Sequence, residues 1–414
     1  MKVLLLGSGG RDHAIAKKLH SEGAEIYAIG KTKNAGINAI AKEFLVSTDT
    51  DAERISLWCS MKGIDMAIIN PSGAVFSGLT DELVRKKVKV IAPSKRASMI
   101  EWSKIYMRTL MKKYNIPGQI PFYVFDNVRE LTTFVRTHDE EIVMKPVGMP
   151  SGKGIRIVGE ELMTKEDVIK YGTDIIEKKL GGVPQVLIEE KVYGEEFTVM
   201  AFTDGKTVIP MPPVHEYKRA LEDDLGQNTG GMGAITSETG YLPYLSEESY
   251  IKAAQIIQQM IGACAAEKHP YKGIIYGQFM ETKEGPRVIE FNVRFGDPET
   301  MNVMAMLNSP LIPIFEAIHA GTLDRIDVVF EPSATCVKYI TPPQYARQDL
   351  GIAPQEDMPI TLDEKAINDI GVEIFYANVN GTPGNVFTTG DRCLALLAKG
   401  KTVEEAHQKV ESAL

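Results

Sequence analysis

Val288-Ile289-Glu290-Phe291-Asn292-Val293-Arg294-Phe295-Gly296-Asp297-Pro298-Glu299 is the segment from which the rest of the chain becomes readable. Apolar and polar residues alternate from Val288 to Val293, a strand pattern, and a period of two puts Glu290 and Asn292 on one face. Oxygen donors side by side on a strand, with room left for water and phosphate oxygens, suit magnesium. Upstream, Gly273–Met280 reads as a facing strand. A turn at Lys283–Gly285 would close a hairpin in which Gln278 faces Glu290 and adds another oxygen. Arg294 is suited to neutralise a phosphoryl group in transfer or to clamp a carboxylate. The bland alternative is an Arg294–Asp297 ion pair on a solvated turn, but a buried strand ending in Glu, Asn and Arg fits a site better.

Two glycine-rich segments point the same way. In Glu141-Ile142-Val143-Met144-Lys145-Pro146-Val147-Gly148, Lys145 ends an apolar strand, where an ammonium without a partner loses hydration at considerable cost. A phosphate would offset that loss, and the glycines through Gly152-Lys153-Gly154 allow backbone to approach phosphate oxygens. The spacing from Gly148 to Gly152 is one residue short of a Walker loop, and Gly154 stands where that loop needs Ser or Thr. An edge-strand lysine beside a flexible turn remains the alternative. Near the start, Gly7-Ser8-Gly9-Gly10-Arg11-Asp12-His13 follows a strand and opens a helix, a place where backbone N–H groups attract phosphate. A dinucleotide site would need an acidic residue at the end of the second strand, and Gly30-Lys31 stands there instead, which disfavours NAD. A plain tight turn is the other reading, with His13 a packed helix residue. Lys218-Arg219 followed by Asn228-Thr229-Gly230-Gly231-Met232-Gly233 suggests a polar loop near a ligand, or an ordinary surface loop.

The whole chain frames these segments. Its 414 residues call for two to four domains, and 44% hydrophobic with 24% charged residues is the composition of a soluble globular protein. A net charge of -9 argues against a general nucleic-acid or anionic-membrane binder. No apolar run reaches membrane-span length, and Met1–Gly7 is too short for a signal peptide. Cys59, Cys264, Cys336 and Cys393 are far apart, which fits a reduced, cytoplasmic enzyme without zinc or disulfides. Strands at Val3–Leu6, Glu25–Ile29, Met66–Ile69 and Val88–Ala92, with helices between, predict an α/β, doubly wound parallel sheet. Later strands are expected at Ile142–Met144, Gln185–Glu189, Glu196–Thr203, Thr335–Thr341 and Arg392–Ala398, and a long helix at Ser246–Cys264. The expected division is 1–102, 103–192 with a small glycine-rich part, 193–325, and 326–414, a small α+β domain.

Taken in order, these motifs resemble the glycinamide ribonucleotide synthetases (phosphoribosylamine–glycine ligases), a family of the ATP-grasp superfamily. The likeness runs through nearly the whole chain and includes Gly7–His13, Asn34-Ala35-Gly36, Ser103-Lys104, Lys145 with Gly148–Gly154, Glu189-Glu190, Lys218-Arg219, Asn228–Gly233 and Phe291–Glu299. The resemblance implies that Lys104 and Lys145 hold ATP phosphates beneath a flap at Gly148, Gly152, Lys153 and Gly154. It implies an adenine-binding connection at Glu189, Glu190 and Lys191 with Glu196 near the ribose, and magnesium or manganese on Gln278, Glu290 and Asn292. Gly9, Gly10, Arg11, Asn34, Lys218, Arg219, Asn228, Thr229, Gly230 and Gly231 fall on the 5-phosphoribosylamine side, while Arg294 and Asp297 fall between glycine and phosphate. The implied chemistry activates a carboxylate as an acyl-phosphate that an amine then attacks, in a monomer or small homo-oligomer. No protein nucleophile is required, and no Ser-His-Asp or Cys-His arrangement is recognisable in the sequence.

The chain departs from the family pattern at three places. Asn70-Pro71-Ser72 replaces Gly-Pro-Glu, His215-Glu216-Tyr217 replaces Gln-Asp-His, and the flap reads Met149-Pro150-Ser151 where small residues are common. The missing glutamate leaves Glu216, Asp223 or Asp224 to orient the amine. Other readings are a related ATP-grasp carboxylate–amine ligase or carboxylase, a non-catalytic nucleotide-binding regulator, and, last, a nicotinamide oxidoreductase. From the flap composition, amides of Gly148–Gly154 are expected to exchange freely without nucleotide and to gain protection with ATP and magnesium. Equal hydrogen-exchange protection in the two states would contradict a closing lid.

Overall fold

The computed structural model describes residues 1–148, 154–223, 225–347 and 350–414. Lys2–Leu6, Glu25–Gly30, Glu43–Val46, Met66–Ile69 and Lys89–Ile91 form one five-stranded sheet, with the first strand at its centre. Every pairing in it is parallel. Four of these strands follow from their apolar runs. Glu43–Val46 was not expected, because it is a half-buried edge strand whose two ends are polar or exposed.

A four-stranded antiparallel sheet follows, ordered Val208–Pro210, Glu195–Thr203, Gly273–Thr282, Gly285–Asn292. The expected hairpin is present, and Gln278 pairs with Glu290 while Tyr276 pairs with Asn292. A register shift beside Gln278 leaves Ile289 as an extra residue, so the alternation that begins at Val288 is re-phased before it reaches the polar pair. This sheet and the parallel one share their cores. Leu4, Leu6, Phe279 and Phe291 belong to one buried cluster, and Val3, Leu5, Phe202 and Phe295 to another. The parallel sheet and this antiparallel sheet are therefore packed as one unit.

Phe122–Phe125, Val186–Glu190, Ile142–Pro146 and Arg156–Ile157 make a separate four-stranded sheet, covered by the helices Val128–Thr137 and Lys165–Lys178. It has its own small core around Leu131, Met144, Ile175 and Ile188.

The region expected to be a polar loop at Leu225–Gly233 is instead part of the strand Leu225–Thr236. It pairs with His215–Leu221 on one side and with Ala334–Ile340 on the other. Glycine lowers strand propensity, so the segment reads as a loop, but long-range pairing supplies the order. The resulting sheet, completed by Leu394–Gly400 and Val372–Tyr376, joins the central region to the C-terminal α+β part. A three-stranded sheet of Glu356–Ile360, Asn385–Thr389 and Val379–Thr382 completes the chain. No helix among the described residues is long and apolar enough to cross a membrane.

His13 is buried at the contact between the first helix, Gly10–Ser21, and the C-terminal sheet, where Tyr376 N–H donates to its Nδ1 at 3.0 Å. Burial, aided by Lys17, lowers its pKa from 6.5 to about 3. Between those values the unfolded chain binds the extra proton, so this residue makes stability fall as pH drops from 6.5 toward 3. The slope from one such group is about 1.4 kcal/mol per pH unit. His13→Gln, which keeps an acceptor but cannot titrate, should flatten the decline of denaturant-derived stability between pH 6 and 4 by roughly that slope. An unchanged slope would show that His13 titrates normally.

Candidate active site

Lys104 opens the helix Lys104–Lys113, whose N-cap Ser103 accepts from Tyr106 N–H at 3.1 Å. A cation in the first turn opposes the helix dipole. The Glu290 carboxylate compensates, forming an ion pair with Lys104 across the cleft. Glu290 Oε1 also accepts from Asn292 Nδ2 at 3.1 Å. Burial works to raise the Glu290 pKa, yet Lys104, Asn292 and Lys218 outweigh it and hold the carboxyl well below the usual range. Gln278 Nε2 donates to Glu196 Oε2 at 2.5 Å, and Glu196 is in turn paired with Lys218. The Gln278 and Asn292 side chains thus spend their amide N–H groups on carboxylates. Their carbonyl oxygens flank an ionised carboxylate, which is a donor set that fits a hard cation with substrate oxygens completing its shell. Among the described residues no group of three His, Cys, Asp or Glu could hold a metal alone.

Lys145 was expected to lack a partner, and that expectation is corrected. It is ion-paired with Glu189 on the neighbouring strand, while Arg108 Nε reaches the other oxygen of Glu189 at 2.6 Å. Burial would raise the Glu189 pKa, but Arg108 and Lys145 hold it at about 2. The Glu189 side chain is only 2% exposed, and its two oxygens are engaged by Arg108 and Lys145. Arg108 was missed. It lies one turn after Lys104 on the same helix, a spacing of four that places both on one face. Lys104, Lys145, Gly148, Glu290 and Asn292 line a single cleft, with Phe76, Glu101 and Trp102 on its far wall.

Gly148 lies at the end of this cleft with φ +93°, its backbone against that of Gly181. Gly154 O accepts from Tyr171 OH at 2.5 Å. Gly152 and Lys153, like Asp224, lie outside the described residues. Glu190 Oε1 accepts from Tyr123 OH at 3.4 Å, and Lys191 lies 3.3 Å from Glu160 and 3.6 Å from Glu141.

On the opposite side of Glu290, Arg294 and Asp297 are not ion-paired with each other. Arg294 donates to Phe295 O at 3.0 Å and lies over the Tyr276 ring at 5.3 Å. Asp297 accepts from Tyr339 OH and lies 3.4 Å from Arg392 Nη2. Burial alone would raise the Asp297 pKa, but Arg392 and Arg11 depress it. Arg392, which the sequence reading did not single out, also donates to Gly230 O at 2.6 Å and Gly231 O at 2.7 Å. Arg11 Nη1 donates to Phe295 O at 2.8 Å. Gly9 N–H donates to Asp12 Oδ2 at 2.8 Å, and Gly10 is required because a Cβ there would lie 2.5 Å from Tyr339 OH. Arg11 and Gly9 thus meet Asp297, while Gly10 packs against the Tyr339 hydroxyl that donates to Asp297.

The remaining acceptor-side residues are placed differently. Asn34 is fully buried; its amide nitrogen donates to Ser8 O, Tyr376 O and Ala377 O, and its oxygen caps the next helix through Ile37 N–H. It therefore braces the first and last sheets and has no donor left for a ligand. Arg219 donates to Gly226 O at 3.0 Å, Asn228 is exposed, and Thr229 Oγ1 donates to Lys218 O at 2.8 Å. Ser72, which stands where a glutamate was expected, hydrogen-bonds the carboxyl of Glu101, whose Oε2 also accepts from Val293 N–H at 2.6 Å.

Two family models cover most of the chain, the phosphoribosylglycinamide synthetase N domain over residues 1–101 and its ATP-grasp (A) domain over residues 102–300. The chain belongs to the phosphoribosylglycinamide synthetase family. It is 42% identical to the phosphoribosylamine–glycine ligase of Methanothermobacter thermautotrophicus and 40% identical to that of Methanocaldococcus jannaschii, covering 100% of this chain and 93% of each relative. The crystal structure of the Thermotoga maritima phosphoribosylamine–glycine ligase superposes with a TM-score of 0.81 at 28% identity, covering 100% of this chain and 96% of that one. At 16% identity, the biotin carboxylase domain of Hydrogenobacter thermophilus 2-oxoglutarate carboxylase, solved with MgADP and bicarbonate, shares the fold with a TM-score of 0.75, covering 100% of this chain and 89% of that one. The fold is therefore that of the ATP-grasp enzymes, as the motifs implied.

The buried Arg108–Glu189–Lys145 triad yields a stability contrast. Glu189→Gln leaves two buried cations without their carboxylate and should cost about 3–5 kcal/mol. Lys145→Ala leaves Glu189 with Arg108 and should cost less than half as much. Urea unfolding of the two variants checks this, and an equal or larger loss for Lys145→Ala would show that the lysine carries the fold.

Proposed function

We propose that this chain joins glycine to 5-phosphoribosylamine in an ATP-dependent reaction giving glycinamide ribonucleotide, ADP and phosphate through a glycyl-phosphate. The observation that carries the proposal is the convergence of Lys104, Lys145, Glu290 and Asn292 on one cleft, with Gln278 in register opposite Glu290. Full-length similarity to phosphoribosylamine–glycine ligases supports the choice of substrates.

A carboxylate resists amine attack, and its conversion to an acyl-phosphate supplies a leaving group. Gln278, Glu290 and Asn292 would hold magnesium or manganese, which when bound neutralises charge on the phosphates. Lys104 and Lys145 bind and orient those phosphates, exchanging their carboxylate partners for phosphate oxygens. Arg294, half-buried and unpaired with Asp297, stands beside this centre to neutralise the transferred group or hold the glycine carboxylate. Asp297, kept ionised by Arg392 and Arg11, lies toward the acceptor side with Gly9 and Gly10. Catalysis of this kind rests on positioning and on fixed charge. The flap excludes the water that would hydrolyse the intermediate.

The test is ADP release with glycine and freshly generated phosphoribosylamine, each omitted in turn. Release should require both. Release with a different carboxylate or amine, and none with this pair, would replace the named reaction by that of another ATP-grasp ligase. Glu290→Gln should lower turnover at limiting magnesium on the order of 100-fold while leaving thermal unfolding nearly unchanged. Turnover like that of the unaltered protein at limiting magnesium would remove Glu290 from the metal site.

A further inference from the structure

Each carboxylate at this centre except one accepts a hydrogen bond. Glu290 holds Lys104, Glu196 holds Lys218 and Gln278, Asp297 holds Tyr339 and Arg392, and Glu101 holds Val293 N–H. Glu216, on the strand His215–Leu221, is the exception. Its side chain is 11% exposed, it accepts no hydrogen bond among the described residues, and its closest cation is Lys218 Nζ at 3.9 Å, already engaged by Glu196.

The surroundings of Glu216 deepen the anomaly. Glu299 is 1% exposed; its Oε1 accepts from Tyr276 OH at 2.8 Å, and its Oε2 is buried with no partner. The charged groups facing Glu216 are Glu299, Glu196, Lys218 and Arg294, two of each sign. Burial, with Glu299, pushes its pKa up to about 8. Gly231, at φ +103°, keeps the adjacent space open, because a Cβ there would lie 2.7 Å from Glu216 Oε1 and 2.5 Å from Pro298 Cδ. The Glu216 carboxylate is partly exposed and accepts no hydrogen bond among the described residues, so it is open to a donor brought by the substrate. Glu216 stands between Lys218 Nζ and the Gly231–Asp297 backbone.

We propose that Glu216 is the proton acceptor of the amine-transfer step. The inference rests on the ligase reading above. The amine nitrogen donates an N–H hydrogen bond to the carboxylate and uses its lone pair to form the C–N bond with the acyl carbon. The C–O bond to phosphate breaks, and phosphate leaves with that electron pair. The proton shed by nitrogen passes to Glu216 and from there to solvent. The other carboxylates are less suited, because each would first have to release a cation or a donor.

The experiment compares two reactions of the full chain and its Glu216→Gln variant. Glycine-dependent positional isotope exchange in ATP, without amine, reads acyl-phosphate formation. ADP release with glycine and phosphoribosylamine reads the whole reaction. Glu216→Gln should leave the exchange within about 3-fold of the unaltered protein while lowering full turnover by about 100-fold or more, the usual loss on removing a general base. The rise of turnover with pH should flatten in that variant, and Glu216→Asp should recover part of the rate together with the pH limb. Full turnover of Glu216→Gln within about 3-fold of the unaltered chain would overturn the assignment, as would equal loss of both reactions. Absence of ADP release by the unaltered protein with glycine and phosphoribosylamine together would overturn the ligase reading and this inference with it.

Discussion

A single buried carboxylate, Glu189, ties the two walls of the cleft together. It sits on a strand of the small sheet that also carries Lys145, yet its second oxygen is held by Arg108 from the helix that carries Lys104. Without it, two cations would be buried in a dry interior with nothing to offset their lost hydration. With it, the phosphate-facing lysine is held in place, and the small sheet, which has its own core, is anchored to the larger unit at the point where chemistry is expected. Glu290 does the same for Lys104 on the other wall. Lys104 and Lys145 are thus each paired with a carboxylate.

This arrangement explains why part of the site was legible in the sequence and part was not. Glu290, Asn292 and Gln278 follow from strand periodicity and one short turn, which are local properties. The partners of the lysines do not. Lys145 meets Glu189 across 44 positions, Arg108 meets Glu189 across 81, and Lys104 meets Glu290 across 186. No local pattern encodes which of several carboxylates a buried cation will choose, so Lys145 read as unpaired. Arg392, Tyr339 and Glu101 were missed for the same reason. Each reaches the site from an element that is distant in sequence and unremarkable alone.

The fold was more legible where burial is continuous. Four strands of the parallel sheet are nearly unbroken apolar runs, as a sheet covered on both faces requires. Leu225–Thr236 fails that test because it is glycine-rich and partly exposed, and its order comes from pairing with Ala334–Ile340, about a hundred residues away. Its glycines still carry meaning. At Gly231 the absent side chain leaves room beside Glu216, so a segment that looks like a loop in sequence is a strand whose missing side chains shape the acceptor side.

Charge conservation during ligand binding links these observations. On the proposed reading, phosphate oxygens would take the place of Glu290 at Lys104 and of Glu189 at Lys145, and Glu290, with Gln278 and Asn292, would hold a divalent ion. Each charge would then have a second partner available and none would be stranded. Glu189 retains Arg108 and stays neutralised when Lys145 turns to phosphate. The cost of opening each ion pair is offset locally, which lets a buried, highly charged cleft exist both empty and loaded. Glu216 alone accepts no hydrogen bond, and the cation near it, Lys218, is shared with Glu196. On the proposed reading an amine N–H finds a free acceptor there without displacing a donor, at the position where a proton has to be removed.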